Sequence, residues 1–237
     1  MNFFNNLFGG RNNKAREKLT ANSILKAIQF SKPESRLVID KDQEIGYLSV
    51  ENVAYLLTLG PAPTWDFDLR TLDGAKIFYG NQCAEAKGAM PFLELTTVDK
   101  AEALRGIFKY RSAGNPLAIA YAGIIWVPFM EGCLQINIEA VEQGTTGMRE
   151  ALVMTMMMDD GTFDRQESFA PPIKVNSAEE MFKRMGETPL RVIASDDAKW
   201  DEIIPGHPLS LVRKNLNMVT ESLKLAPSMH ALKPFRV

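Results

Sequence analysis

Residues 139–158, EAVEQGTTGMREALVMTMMM, hold the densest group of side chains that could do chemistry. Gly144, Thr145, Thr146 and Gly147 form a turn between a strand-like and a helix-like stretch, and Arg149 follows two residues later. A helix N-terminus offers unpaired backbone N–H groups and a partial positive charge, so such a turn can hold a phosphate, with Arg149 adding charge. The segment lacks both the G-x-x-x-x-G-K-[ST] and the G-x-G-x-x-G spacing of phosphate loops. A plain connector accounts for the same residues. Gly144 permits the turn, Thr145 or Thr146 caps the helix, and Glu150 complements the helix dipole.

A second candidate is TWDFDLR at 64–70, where Asp66 and Asp68 alternate with apolar residues. On a strand both carboxylates share one face, which suits a divalent cation or an acid/base pair. It equally suits the solvated side of an amphipathic strand. The two histidines, His207 and His230, have no strong ligand at i+3 or i+4, and no CxxC occurs, so no metal site is expected. Cys133 and His207 are a formal nucleophile and base. However, Cys133 opens a strand of inward periodicity, which favours an inert buried thiol. No catalytic residue and no cofactor emerges.

A third set of residues suits contact with another protein. Met154, Met157 and Met158 lie in a run that is apolar around nearly its whole circumference, and methionine serves adaptable binding surfaces as well as irregular cores. Asp196, Asp197 and Trp200 sit in the acidic stretch ASDDAKWDE, which suits a basic partner or simply a capped helix start.

These residues need elements to position them. Residues 14–30 carry a partial helical stripe through Leu19, Ile24, Leu25 and Ile28, and Pro33 ends it. RLVID is a short strand before the polar turn KDQE, and SVENVAYLLTLGPAP fits either a helix or a strand. From Trp65 the spacing predicts a meander. TWDFDLR is a strand, LDG at 72–74 a hairpin signal and AKIFYGN the return strand. AMPFLELTTV, LRGIFKYRS, LAIAYAGIIWVPF and CLQINIEAV follow as further strands. Residues 65–142 are thus expected to form one antiparallel sheet with the 132–142 strand at or near its centre.

After the sheet, helices are expected at TGMREALVMTMMM, at SAEEMFKRMG with Ser177 as N-cap, and from Pro208 onward. FAPPIKV between the first two reads as extended. Leu209, Val212, Leu216, Val219 and Leu223 alternate spacings of three and four, a single apolar stripe. The expected organisation is an N-terminal helical segment at 1–33, then one α+β domain at 34–237 with its C-terminal helices from about 176.

Composition narrows the function classes. With 237 residues, 46% hydrophobic, the chain can bury a large core. A formal charge of −2 disfavours nucleic-acid binding. No apolar run reaches membrane-spanning length. The start, MNFFNNLFGGRNNK, places Phe3, Phe4, Leu7 and Phe8 before the first charge, unlike a signal peptide, so a cytoplasmic location is expected. Two cysteines imply no disulfide framework.

The GTTGMREA and PGHPLSLVRK motifs make the chain resemble an uncharacterised bacterial protein family. The strand-rich middle followed by helices is also similar in pattern to the Mog1/PsbP-like group, which includes DUF1795-type proteins, some of them chaperones for secreted toxins. That resemblance implies a twisted antiparallel sheet flanked by helices and members that bind proteins rather than catalyse. The expected function is protein interaction, as a toxin-neutralising immunity protein or a secretion chaperone or adaptor, with a bacterial toxin or secreted effector as partner. Two alternatives stay open: a small-molecule or phosphate-binding protein or enzyme built on the GTTG turn with Asp66 and Asp68, and a structural subunit of a larger assembly.

Overall fold

A computed structural model describes residues 20–163, 177, 179–180, 184 and 187–237. Seven strands form one antiparallel sheet: β1 (Ser35–Asp40), β2 (Glu44–Ser49), β3 (Ala54–Gly60), β4 (Ala89–Val98), β5 (Ala101–Ser112), β6 (Asn115–Phe129) and β7 (Gly132–Val141). Their order is β1-β2-β3-β7-β6-β5-β4. Two meanders therefore meet where β3 pairs with β7, which lies at the centre of the sheet. Short connections force antiparallel neighbours. The β4–β5 link is two residues, Asp99 and Lys100, both at positive φ, as a tight hairpin requires.

The ambiguous stretch around residue 55 is strand. Tyr55, Leu57 and Leu59 are buried, and Leu56 and Thr58 between them are half-buried, a period of two. The inward residues of β7, Leu134, Ile136 and Ile138, are fully buried. They share a core with Ile45, Ile107, Tyr121 and Ile125 of neighbouring strands. Two helices cover this face: α1 (Ala21–Ala27), through Ala21, Ile24 and Leu25, and the C-terminal helix α4 (Pro208–Ser222). The stripe expected on α4 is buried along its whole length, from Leu209 to Leu223. Gly123 on β6 lets α4 approach closely, since a Cβ there would lie 2.9 Å from Val212 Cγ1. Tyr55 donates to Asn215 Oδ1 at 2.7 Å, the polar contact that links β3 to α4.

The opposite face carries an aromatic cluster under helix α2 (Asp73–Glu85), built from Trp65, Phe67, Tyr79, Phe108, Trp126 and Phe235. Here the sequence expectation is corrected. Residues 64–70 are not a strand, LDG is not a hairpin, and 75–81 is helix rather than a return strand. The alternation of Trp65, Phe67 and Leu69 does bury those three, but as plugs in the cluster, with no strand alongside to pair with. Ala75, Tyr79 and Cys83 recur every fourth residue on the buried side of α2, a helical period. The antiparallel sheet consequently starts at residue 35 rather than 65 and skips 61–88.

Helix α3 (Met148–Asp159) follows the sheet, as the sequence predicts. A small third cluster joins its Val153 and Met157 to Trp200. The expected FAPPIKV segment, residues 1–19 and most of SAEEMFKRMG lie outside the described residues. Within the last of these, Ser177 Oγ accepts from the Glu180 N–H. The C-terminal stretch runs back over the body, burying Met229 and Phe235. Among the described residues no helix is long and apolar enough to cross a membrane.

Candidate functional site around helix α3

The GTTG turn enters α3 through Gly147, which is the N-cap at φ 75, with Gly144 at φ 70. The left-handed conformation at Gly147 turns the chain sharply enough that neither threonine reaches the helix end. Thr145 and Thr146 cap nothing, contrary to expectation. Glu150 occupies the helix start instead. Its Oε2 lies on the Gly147 side, buried without a hydrogen-bond partner. Desolvation raises its pKa, and nearby Glu142 adds to the rise, against opposing effects of His207 and Lys109.

Arg149 is turned into the protein and is 0% exposed. Its Nε donates to Ser195 O at 2.6 Å and Nη1 to Ser210 Oγ at 2.7 Å. Nη2 donates to Asp201 Oδ1 at 2.9 Å and to Asp197 O at 3.1 Å. Arg213 holds the other Asp201 oxygen at 2.5 Å and also donates to Asp196 O. Lys109 on β5 pairs with the buried Asp196 carboxylate at 2.5 Å. One planar guanidinium thus joins α3, the two short 3-10 turns at 194–200 and α4, a task suited to the fixed fork of arginine. An anion in the GTTG turn would need this guanidinium free, and four of its five N–H groups are already engaged inside the protein.

The partner-contact residues expected from sequence divide accordingly. Asp196 and Trp200 are buried, and Trp200 Nε1 donates to Ala194 O. Met157 is buried against Trp200, and Met154 is half-buried. The acidic stretch reads as exposed in sequence because its cations, Lys109, Arg149 and Arg213, come from distant elements. Asp197 is exposed and accepts from the Lys199 N–H, and Met158 is exposed.

His207 has a role that the sequence reading missed. It is the N-cap of α4, with Nδ1 accepting from the Leu209 N–H at 3.1 Å. The neutral ring then carries its proton on Nε2, facing Glu142 Oε1 at 3.4 Å. Glu142 Oε2 accepts from the Ile119 N–H, and the Tyr121 ring meets His207 edge-on. The His-Pro pair at a helix start was the available signal, because a ring nitrogen can cap as a hydroxyl does. Cys133 belongs to the aromatic cluster on the other face of the sheet from His207, and burial pushes its thiol up to about 12. Asp66 and Asp68 are also remote from Arg149. Asp68 is held below the usual carboxylate range by Arg70, which donates to it from both side chain and backbone. Among the described residues no His, Cys, Asp or Glu group is arranged to hold a metal ion.

What α3 turns outward is apolar. Met148 (60% exposed), Leu152 (43%) and Met158 (59%) follow one another at i, i+4 and i+10, with Ala151 and Thr155 between them. A cleft of about 520 Å³ runs along the N-terminal half of this stripe and is closed on its far side by Ile204, Gly206 and His207. Exposed Ile203 adjoins it. Among the described residues, the exposed charges at the end of the stripe are Asp159 and Asp160, with Lys199 beside Asp160.

No family model and no curated protein sequence matches the chain. Among solved structures, the chain is similar to the Saccharomyces cerevisiae Ran-binding protein Mog1p. Identity is 10% and the TM-score 0.44, with 85% of this chain and 92% of that one covered. It is also similar to a point mutant of protein Mog1 at 11% identity and a TM-score of 0.42, covering 86% and 94%.

Proposed function

We propose that the chain is a protein-binding module whose docking surface is the outward face of α3 with the adjoining cleft. The observation that supports this is the exposed apolar stripe of Met148, Leu152 and Met158. A helix that already buries Val153 and Met157 on one side has no folding reason to carry three large apolar residues on the other. The acidic end of the stripe, Asp159 and Asp160, points to an amphipathic segment with lysine or arginine beside its apolar residues. Toxin neutralisation and secretion chaperoning are specific forms of this reading, and the identity of the captured segment separates them.

The test is affinity capture followed by titration. Wild-type protein retains a partner, and a peptide of its basic amphipathic segment binds with affinity that falls as salt rises. The variant Leu152→Asp, with an unchanged circular dichroism spectrum, loses at least about tenfold in affinity for that peptide. Equal binding by wild type and Leu152→Asp, or affinity indifferent to salt, overturns the reading.

A further inference from the structure

The second face of the sheet carries a groove unrelated to α3. It holds about 450 Å³ between the loop after β3, helix α2 and strands β5 to β7. Its floor is aromatic: Trp65, Tyr79, Phe108 and Trp126. Its polar groups include Thr58, Thr64, Gln82, Gln135 and the Tyr79 and Tyr110 hydroxyls, and no lining residue carries a formal charge. We propose that this groove binds a small uncharged aromatic amide.

The argument begins from charge. A bound carboxylate, phosphate or ammonium would lose water and find no counter-ion, whereas an uncharged ligand avoids that cost. The rings set the shape. Trp65 stacks on Phe67 with centroids 4.9 Å apart, Tyr79 lies over Trp126 at 4.6 Å, and Tyr110 lies parallel to Phe108 at 6.5 Å. Trp126 also meets Trp65 and Phe108 edge-on at 6.5 and 5.9 Å, so the wall is aromatic throughout and suits a ligand ring.

The rim sets the functional group. Gln135 accepts from Trp126 Nε1 and donates to Asn137, which fixes its orientation and leaves one N–H and one lone pair. Thr58, Thr64 and Gln82 make no side-chain hydrogen bond among the described residues. They therefore present both donors and acceptors to the groove, the combination that a carboxamide matches with its carbonyl and N–H groups and a simple ketone, which has no donor, does not. The volume of about 450 Å³ falls within the range of small-molecule sites.

Two of the three tryptophans, Trp65 and Trp126, line the groove, while Trp200 lies in the α3 cluster. Trp200→Phe protein therefore reports on the groove by its fluorescence, and calorimetry on the unaltered chain gives an independent measurement. Benzamide and nicotinamide are titrated against their charged counterparts benzoate and nicotinate. The expected result is saturable millimolar binding of the amides, with the acids at least about tenfold weaker. Gln82→Leu, with an unchanged melting temperature, should weaken the amides severalfold. Amides and acids binding alike, or no saturable signal from either amide by both methods, overturns the proposal.

Discussion

The Arg149 guanidinium on α3 lies 2.9 Å from the Asp201 carboxylate, which Arg213 of α4 grips from its other oxygen. With Arg149 fully buried, removing it takes a donor from Ser195 O and Asp197 O and leaves Asp201 to Arg213 and Ser210 alone. Arg149→Ala should cost about 3–5 kcal/mol in urea unfolding, the range for breaking a buried pair. Arg149→Lys should recover little, because one ammonium cannot span the acceptors of a planar fork. A cost below about 1 kcal/mol would mean that water replaces the network.

The close approach of β6 to α4 predicts overpacking at Gly123. Gly123→Ala should destabilise by about 1–3 kcal/mol, since its Cβ meets Val212 Cγ1 at 2.9 Å. Combining it with Val212→Ala should cost less than the sum of the two single changes, because the second removes the clashing atom. Simple additivity in the double-mutant cycle would refute direct contact.

Leu216 is the midpoint of the buried stripe and lies 3.5 Å from the Gly123 Cβ position. Leu216→Ala should cost about 2–5 kcal/mol, measured by chemical denaturation. A loss well under that range would require the helix to collapse into the space.

Glu150 predicts a pH effect. Its folded pKa is raised, chiefly by desolvation. Such a group stabilises the fold while protonated in both states, and that contribution disappears as pH rises through the folded pKa. Above the ordinary glutamate pKa, burial of this carboxyl therefore costs stability. Glu150→Gln should raise the melting temperature at pH 7, and the advantage should vanish near about pH 4, below the ordinary glutamate pKa. A gain independent of pH would point to packing instead.

Legibility followed the range of the interaction. The strands from residue 89 to 141, the α3 run and the α4 stripe announce themselves because each obeys a local period that burial then enforces. Residues 64–70 alternate just as cleanly, yet no strand lies alongside them, and alternation cannot say whether a partner exists. The same limit governs the site. Arg149 reads in sequence as the charge nearest the turn, whereas in the fold it points into the protein, because its acceptors lie 46 to 61 residues away in sequence. Thr145 and Thr146 looked like caps by type, and a single positive φ at Gly147 removes them.

The largest apolar face of the sheet is covered by a helix that begins at Pro208, after all seven strands. On the ribosome, β7 is complete some time before α4 leaves the exit tunnel. In that interval Tyr121, Ile125, Ile136 and Ile138 have no lid, and edge-paired or collapsed encounters between nascent chains compete with correct closure. The Gln29–Lys224 backbone bridge ties the end of that lid to the segment after α1, so closure joins the earliest described helix to one of the last. Contacts of such sequence separation slow the final step. A holdase that occupies the open face during synthesis should therefore raise the yield of this chain more than any additive that acts on the finished fold.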